Sequence, residues 1–371
     1  MSHGFARNGL VSTTVAPIRQ EWQRPPDWLP LPTVSGGDQK LVGLYKIING
    51  DNWFAVSVAG AYTIDWGDGT TTNTASGTTT YKNLSWSSYS STTATTDGFR
   101  QAIITITPQS GSTLTSVNLN VKHNQSGLPA YATGWLDVKM AGASLTTLTV
   151  GGSTVYNSAL KRFEFVGGSA LTYGGVMFNS CYQLATIVGT SWTSGISDFT
   201  NMFQSCVSLS TIPLINTAAG TSFTSMFLNC SSLSAIPLIN TAAGTSFANM
   251  FQGCVSLSTI PLINTAAGTS FTNMFHLCTS LRTVPALNTA AGTSFTNMFN
   301  GCSSLESAPL AGTRYAISYA SCALSSAELD AIYTGLGTAA GSQTITVTSN
   351  YGTTGDTPSI ATGKGWTVTG S

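Results

Sequence analysis

Charge is what this sequence has least of. Charged side chains make up 8% of the 371 residues, fourteen basic against fourteen acidic, where an ordinary soluble domain carries about 25%. Such a surface must hydrate through hydroxyls and amides. From Phe199 to Cys302 there is a single Lys or Arg, Arg282, and no acid at all. Nucleic-acid binding rests on clustered cations that displace phosphate counterions, so that partner class is excluded. Catalysis by a Ser/His/Asp triad or a carboxylate pair needs converging titratable groups, and none is visible. An enzyme is therefore the least expected class, and no catalytic residue or cofactor is assigned.

Long apolar runs are also missing. None approaches the roughly 20 residues of a membrane helix, so no membrane span is expected. The opening MSHGFARNGLVSTTVAP lacks the apolar core of a secretory signal, so either the protein leaves the cell without the general export route or its signal lies outside this sequence. There is no C-x-x-C pair, the cysteine count of seven is odd, and His3, His123 and His276 do not cluster. Disulfides and metal sites are not expected.

What the chain does have is a repeat. A 24-residue unit recurs through residues 199–302, clearest as VSLSTIPLINTAAGTSFTNMFHLC from Val255 to Cys278, and its Met-Phe and Cys positions keep one register from Met202 to Met298 and from Cys206 to Cys302. A fixed period in the twenties specifies a solenoid, because one coil cannot bury its apolar side without neighbours. Within SFTNMFHLCTSL the apolar residues Phe271, Met274, Phe275, Cys278 and Leu281 fall at helical spacing, which predicts a short helix capped by Ser270. TIPLI predicts a strand with Pro261 where a missing donor costs least. Stacked coils place equivalent cysteines about 4.8 Å apart, with parallel Cβ vectors too far apart for disulfides. Cys181 to Cys302 therefore form a buried thiol column.

The Met-Phe, Cys, Leu, Ile-Pro and Asn-Thr pattern resembles the BspA-like leucine-rich repeats of bacterial surface proteins and phage virion proteins. The resemblance covers roughly Leu145 to Leu310. It implies a parallel solenoid with a binding or adhesive role. Asn216, Asn240, Asn264 and Asn288, with the Thr-Ala-Ala-Gly-Thr that follows each, read first as turn residues. Their alternative is a ligand-facing hydroxyl ladder of Thr217, Thr221, Thr241, Thr245, Thr265, Thr269, Thr289 and Thr293 for a polysaccharide.

The flanks complete a mainly β chain with short helices. Residues 1–38 form an N-terminal arm, where WQRPPDWLPLP supports neither helix nor central strand. Its Trp22, Arg24, Trp28, Leu29 and Leu31 are candidate anchors on a partner. Residues 39–140 carry short alternating β runs. There Trp66-Gly67-Asp68-Gly69 resembles the turn of the polycystic-kidney-disease type of immunoglobulin-like module, which implies a β-sandwich. Asp65 and Asp68 are too few for calcium and read as turn chemistry. The solenoid follows over 141–322, and 323–371 form a cap in which Ser325 to Gly337 is a helix. A similar LSSAELDAIYTGL ending follows repeats of this kind in phage proteins.

These readings converge on a phage virion component at the particle surface: a capsid decoration, head fibre or tail fibre. Other virion proteins would hold it through the arm, with host-surface polysaccharide as a further partner. It would be a homo-oligomer or part of a symmetric assembly. The alternative is a bacterial cell-surface adhesin.

Overall fold

The computed structural model describes residues 22–123, 130–131, 134–152 and 159–371. The first 21 residues of the expected arm lie outside them. Alternating β-branched and aromatic runs form β1 (Gln39–Ile47), β2 (Trp53–Ala59), β3 (Tyr62–Asp65), β4 (Thr71–Thr74), β5 (Thr79–Asn83), β6 (Arg100–Pro108) and β7 (Ser116–Asn118). A two-residue pair, β8 (Lys122–His123) and β9 (Ala130–Tyr131), precedes β10 (Trp135–Gly142), β11 (Thr147–Thr149), β12 (Arg162–Ser169) and β13 (Thr186–Val188). One sheet runs β13-β12-β10-β1-β6-β3-β4 and a second β11-β7-β2-β5. Between them Tyr45, Phe54, Trp66 and Trp135 meet edge to face at 5.2–5.5 Å, the arrangement the ring quadrupole favours.

The larger sheet does not close off as an independent module. Its antiparallel part, β1 with β6 and β10, continues into parallel pairing of β10 with β12 and β12 with β13. The sheet thus crosses the expected boundary at 140/141, and a single apolar core runs from Leu41 to Trp366. The Trp66-Gly67-Asp68-Gly69 turn works as its chemistry requires. The Asp65 carboxylate accepts from the Gly67 N–H at 2.9 Å, Asp68 from the Thr70 N–H at 3.0 Å, and the Lys82 ammonium lies 2.7 Å from Asp68. Burial opposes the Asp68 charge, but Lys82 and Thr70 outweigh it and lower the carboxyl pKa.

The solenoid makes about nine turns, and here the structure corrects the expected helix. Residues 247–254 form two successive four-residue turns. The Met250 N–H donates to the Phe247 carbonyl at 3.2 Å and the Cys254 N–H to Phe251 at 3.0 Å. In each the third residue, Asn249 or Gly253, has φ of +55° or +73°, as a type II turn requires. A left-handed residue every fourth position rules out a helix. The freed N–H groups of Phe247, Asn249, Phe251 and Gly253 point along the axis and donate to Ser270, Thr272, Met274 and His276 of the next coil at 2.8–2.9 Å. The inward residues are those the helical spacing selected; only the backbone between them differs.

This geometry explains which residue types recur. The left-handed positions hold Asn201, Ser225, Asn249, Asn273 and Asn297, then Ser205, Asn229, Gly253, Leu277 and Gly301. Asn, Ser and Gly suit that conformation, whereas Leu277, at φ +61°, sets its Cβ against its own carbonyl. Leu277 is 45% exposed, so little packing compensates. Replacing Leu277 by Asn is expected to stabilise the protein by about 1 kcal/mol, read as a higher urea midpoint; an unchanged or lower midpoint would contradict the strain.

Inside the coils the side chains stack on themselves. Phe199, Phe223, Phe247, Phe271 and Phe295 form one column, and Phe178, Phe203, Phe227, Phe251, Phe275, Phe299 and Tyr319 another, with neighbouring ring centroids 4.8–5.7 Å apart. All seven cysteines are free and buried. From Cys206 to Cys302 each thiol donates to a phenylalanine carbonyl of the preceding coil at 3.0–3.1 Å. The Ile-Pro side is extended but mostly unladdered. It shows isolated parallel bridges such as Thr259 with Thr283, because each coil's proline lacks a donor. One regular pair, β14 (Leu287–Asn288) with β15 (Leu310–Ala311), forms in the last coils.

The C-terminal segment closes the open end. Strands β16 (Ile317–Ser318), β17 (Gln343–Thr346) and β18 (Trp366–Thr369) form a parallel sheet beside helices α1 (Ser326–Gly335) and α2 (Ser359–Thr362). The Ser325 hydroxyl caps α1 by accepting the Glu328 N–H at 3.3 Å. At the other end the Lys364 ammonium donates to the carbonyls of Tyr333, Thr334 and Leu336 at 2.6–3.0 Å, satisfying groups the helix leaves open.

Candidate binding surfaces

The expected anchors of the arm are occupied by this chain's own sheet. Strand β1 is buried on both faces: Leu41, Tyr45 and Ile47 face the main core, whereas Val42 and Leu44 face the arm. Trp28, 5% exposed, packs on Leu44, Phe99 and Leu136, with Trp22, Leu29 and Leu31 around it. Gln101 of β6 pins the backbone: its Oε1 accepts the Leu29 N–H at 2.9 Å and its Nε2 donates to the Asp27 carbonyl at 2.8 Å. The side chains predicted to dock on a partner dock in cis, because the sheet presents a second apolar face that water would otherwise meet.

A cluster of charges forms under the arm. Asp137 of β10, 1% exposed, accepts from Arg24 Nε at 2.8 Å and from Arg162 Nη1 at 3.2 Å. Arg162 also reaches Glu164 at 2.7 Å, and Lys139 lies 3.4 Å from Glu164. Arg24 further donates to the Trp28 and Leu29 carbonyls and lies over the Trp28 ring. Burial disfavours the Arg162 charge, yet Glu164 and Asp137 more than offset it and raise its pKa. These groups and Pro30 and Leu31 line a cleft of about 340 Å³. Every charge in it already has a partner, so the cluster serves as the clamp of the arm.

The hydroxyl ladder divides in two. Thr217, Thr241, Thr265 and Thr289 are buried, at most 1% exposed. The first three donate to the carbonyls of Asn240, Asn264 and Asn288 at 2.6–2.7 Å, and Thr289 donates to Ala311 at 3.2 Å. They cannot face a ligand; they tie coils together, because an inward turn hydroxyl must find a partner. Thr221, Thr245, Thr269 and Thr293 do face outward, but each hydroxyl is held by a carbonyl of the preceding coil at 3.1–3.2 Å. The asparagines act as turn residues: the Oδ1 atoms of Asn216, Asn240, Asn264 and Asn288 accept the alanine N–H two residues on at 3.0–3.1 Å.

One outward column escaped the sequence reading. Leu214, Leu238 and Leu262 are about three-fifths exposed. Strict alternation along Leu-Ile-Asn-Thr would have found it, since Ile215 and Thr217 point in while Leu214 and Asn216 point out. The apolar weight of TIPLI masked that alternation.

A mainly β chain whose equivalent residues stack coil on coil, capped at its C-terminal end, is a repeat solenoid protein. Residues 173–283 and 197–312 match a family described as Mycoplasma protein of unknown function, DUF285. The matched spans are the coils that carry the resemblance in sequence. No curated protein proved similar to the chain.

Proposed function

We propose that this chain is a non-catalytic surface protein that displays its solenoid for attachment. In the finer reading it is a bacteriophage virion protein, held through its N-terminal end to other particle proteins, oligomeric or part of a symmetric assembly, and either decorating the capsid or contacting a host-surface glycan. The two-sheet N-terminal part then serves as an immunoglobulin-like spacer. The observation that carries the reading is the near-identity of the outward columns from coil to coil. A site shaped for one small substrate would differ between coils, whereas a displayed rod repeats.

Proteomics on purified particles, with labelling by an antibody raised against the solenoid, tests it. The chain is expected in intact particles with the epitope accessible. Absence from particles together with recovery in a bacterial cell-surface fraction would favour the adhesin, and recovery only as a soluble intracellular protein would overturn both.

A further inference from the structure

Leu214, Leu238 and Leu262 form a continuous apolar row, 58%, 62% and 61% exposed, which no strand or arm covers. Aligned exposed leucines are unusual on a soluble surface and mark a contact site. On one side of the row stand Asn216, Asn240, Asn264 and Asn288. Their Oδ1 atoms are tied to the backbone, which fixes each amide plane. Their Nδ2 groups have no hydrogen-bond partner among the described residues, so every coil presents two oriented donors. On the other side lie the exposed Thr211, Thr259 and Thr283, with Thr283 Oγ1 donating to Thr259 Oγ1 at 3.1 Å.

This face carries no formal charge until Arg282, which is paired with Glu306 at 2.6 Å. An anionic glycan or nucleic acid would find no counter-charge. A partner with one shaped epitope would meet the same amide, leucine and hydroxyl in each successive coil. A ligand that itself repeats along a line matches both features.

We infer that the asparagine-leucine-threonine face binds a neutral, linear polysaccharide laid along the solenoid axis. The C–H faces of the sugar rings cover the leucines. Ring and hydroxyl oxygens accept from the asparagine Nδ2 groups, and sugar hydroxyls exchange hydrogen bonds with the threonines. Orientation of the amides before binding lowers the entropy lost on association. The inference names the ligand class and the face within the display reading above, and rests on it.

Affinity electrophoresis of the full chain through gels containing hydroxyethyl cellulose, mannan or laminarin, with alginate as the anionic control, tests it. At least one neutral polymer is expected to retard the chain, with retardation persisting at high salt. The triple variant Leu214→Ser/Leu238→Ser/Leu262→Ser should weaken that retardation by about ten-fold or more with an unchanged melting curve, because the leucines are mostly outside the core. Asn240→Asp/Asn264→Asp keeps the turn acceptors, removes four donors, and should weaken it comparably. No retardation by any neutral polymer, or wild-type retardation of the triple variant, would overturn the assignment. So would conversion of an oligomer to a monomer by the triple variant without loss of retardation, which gives the face to a second copy. A wild-type chain that is present in particles yet retarded by no neutral polymer removes this face and leaves the display reading standing. Absence of the wild-type chain from particles with retardation intact removes the virion reading and leaves this face standing.

Discussion

Raising the pH from 8 to 10.5 is expected to unfold the solenoid, and the cause is its cysteine column. All seven thiols are buried. Burial pushes Cys230, Cys278 and Cys322 up to about 12. It raises Cys181, Cys206, Cys254 and Cys302 too, the last three with neighbouring sulfurs adding to the burial. From Cys206 to Cys302 a thiolate would lose its bond to a phenylalanine carbonyl and face other sulfurs in an apolar stack. In the unfolded chain the same thiols ionise near about 8.5, so above that pH the unfolded state binds fewer protons than the native state. Stability is then full below about pH 8.5 and falls as pH rises, by about 1.4 kcal/mol per unit for each thiol, until the folded thiols themselves ionise. Seven thiols make this roughly 10 kcal/mol per unit, against a total of about 5–15 kcal/mol for a typical domain. Buried tyrosines such as Tyr45 and Tyr319 are also raised, but their unfolded reference near 10 delays their share. Urea midpoints from pH 7 to 10, followed with thiolate absorbance, should fall together with ionisation. The Cys254→Ala/Cys278→Ala variant should lower the slope by about 2.8 kcal/mol per unit. A flat profile up to pH 10, or alkylation of the native chain, would defeat the argument.

The same column shows what the chain made legible in advance. Period, core residues and thiol burial follow from apolar spacing alone, because stacking fixes which side chains face inward whatever backbone carries them. The backbone itself was not legible. Offsets of 0, 3, 4, 7 and 10 from Phe271 suit a helix and equally suit successive four-residue turns; the sign that separates them is Asn, Ser or Gly at positions 249, 253 and their equivalents, residues that accept φ above zero. The helix of the cap was readable because Ser325 acts locally, accepting the Glu328 N–H three residues on. Residues whose roles depend on distant partners were harder. Trp28 and Arg24 are legible as anchors, but their seat joins nearby β1 to Leu136 and Asp137 of β10, more than a hundred residues further along. Thr217 and Thr221 share a composition and part ways because one precedes the turn inward and the other follows it outward.

Phe251→Ala should divide the rod. Phe251 is fully buried and lies between Phe227 and Phe275, with centroids 5.6 Å away on each side and planes within 6°. Truncation removes the ring's transfer free energy and leaves a void that neighbours on a fixed coil spacing cannot close, a cost of about 3–5 kcal/mol. Each coil touches chiefly its two neighbours, so the loss falls on the interfaces on either side of Phe251 and is not spread through the body. The N-terminal coils stay anchored on the seven-stranded sheet and the last coils on the α1 and β17 cap. The expected signature is a denaturant curve with a shallower or second transition, and amide exchange accelerated around residues 247–275 while β1 and β6 stay protected. Leu238→Ala provides the contrast within the same coil, since its side chain is 62% exposed and its loss should stay within about 0.5 kcal/mol. If Phe251→Ala costs less than about 1 kcal/mol and keeps a single transition with the wild-type slope, the stacked column is not what couples the coils, and the axial hydrogen bonds from Asn249 and Gly253 must carry that role.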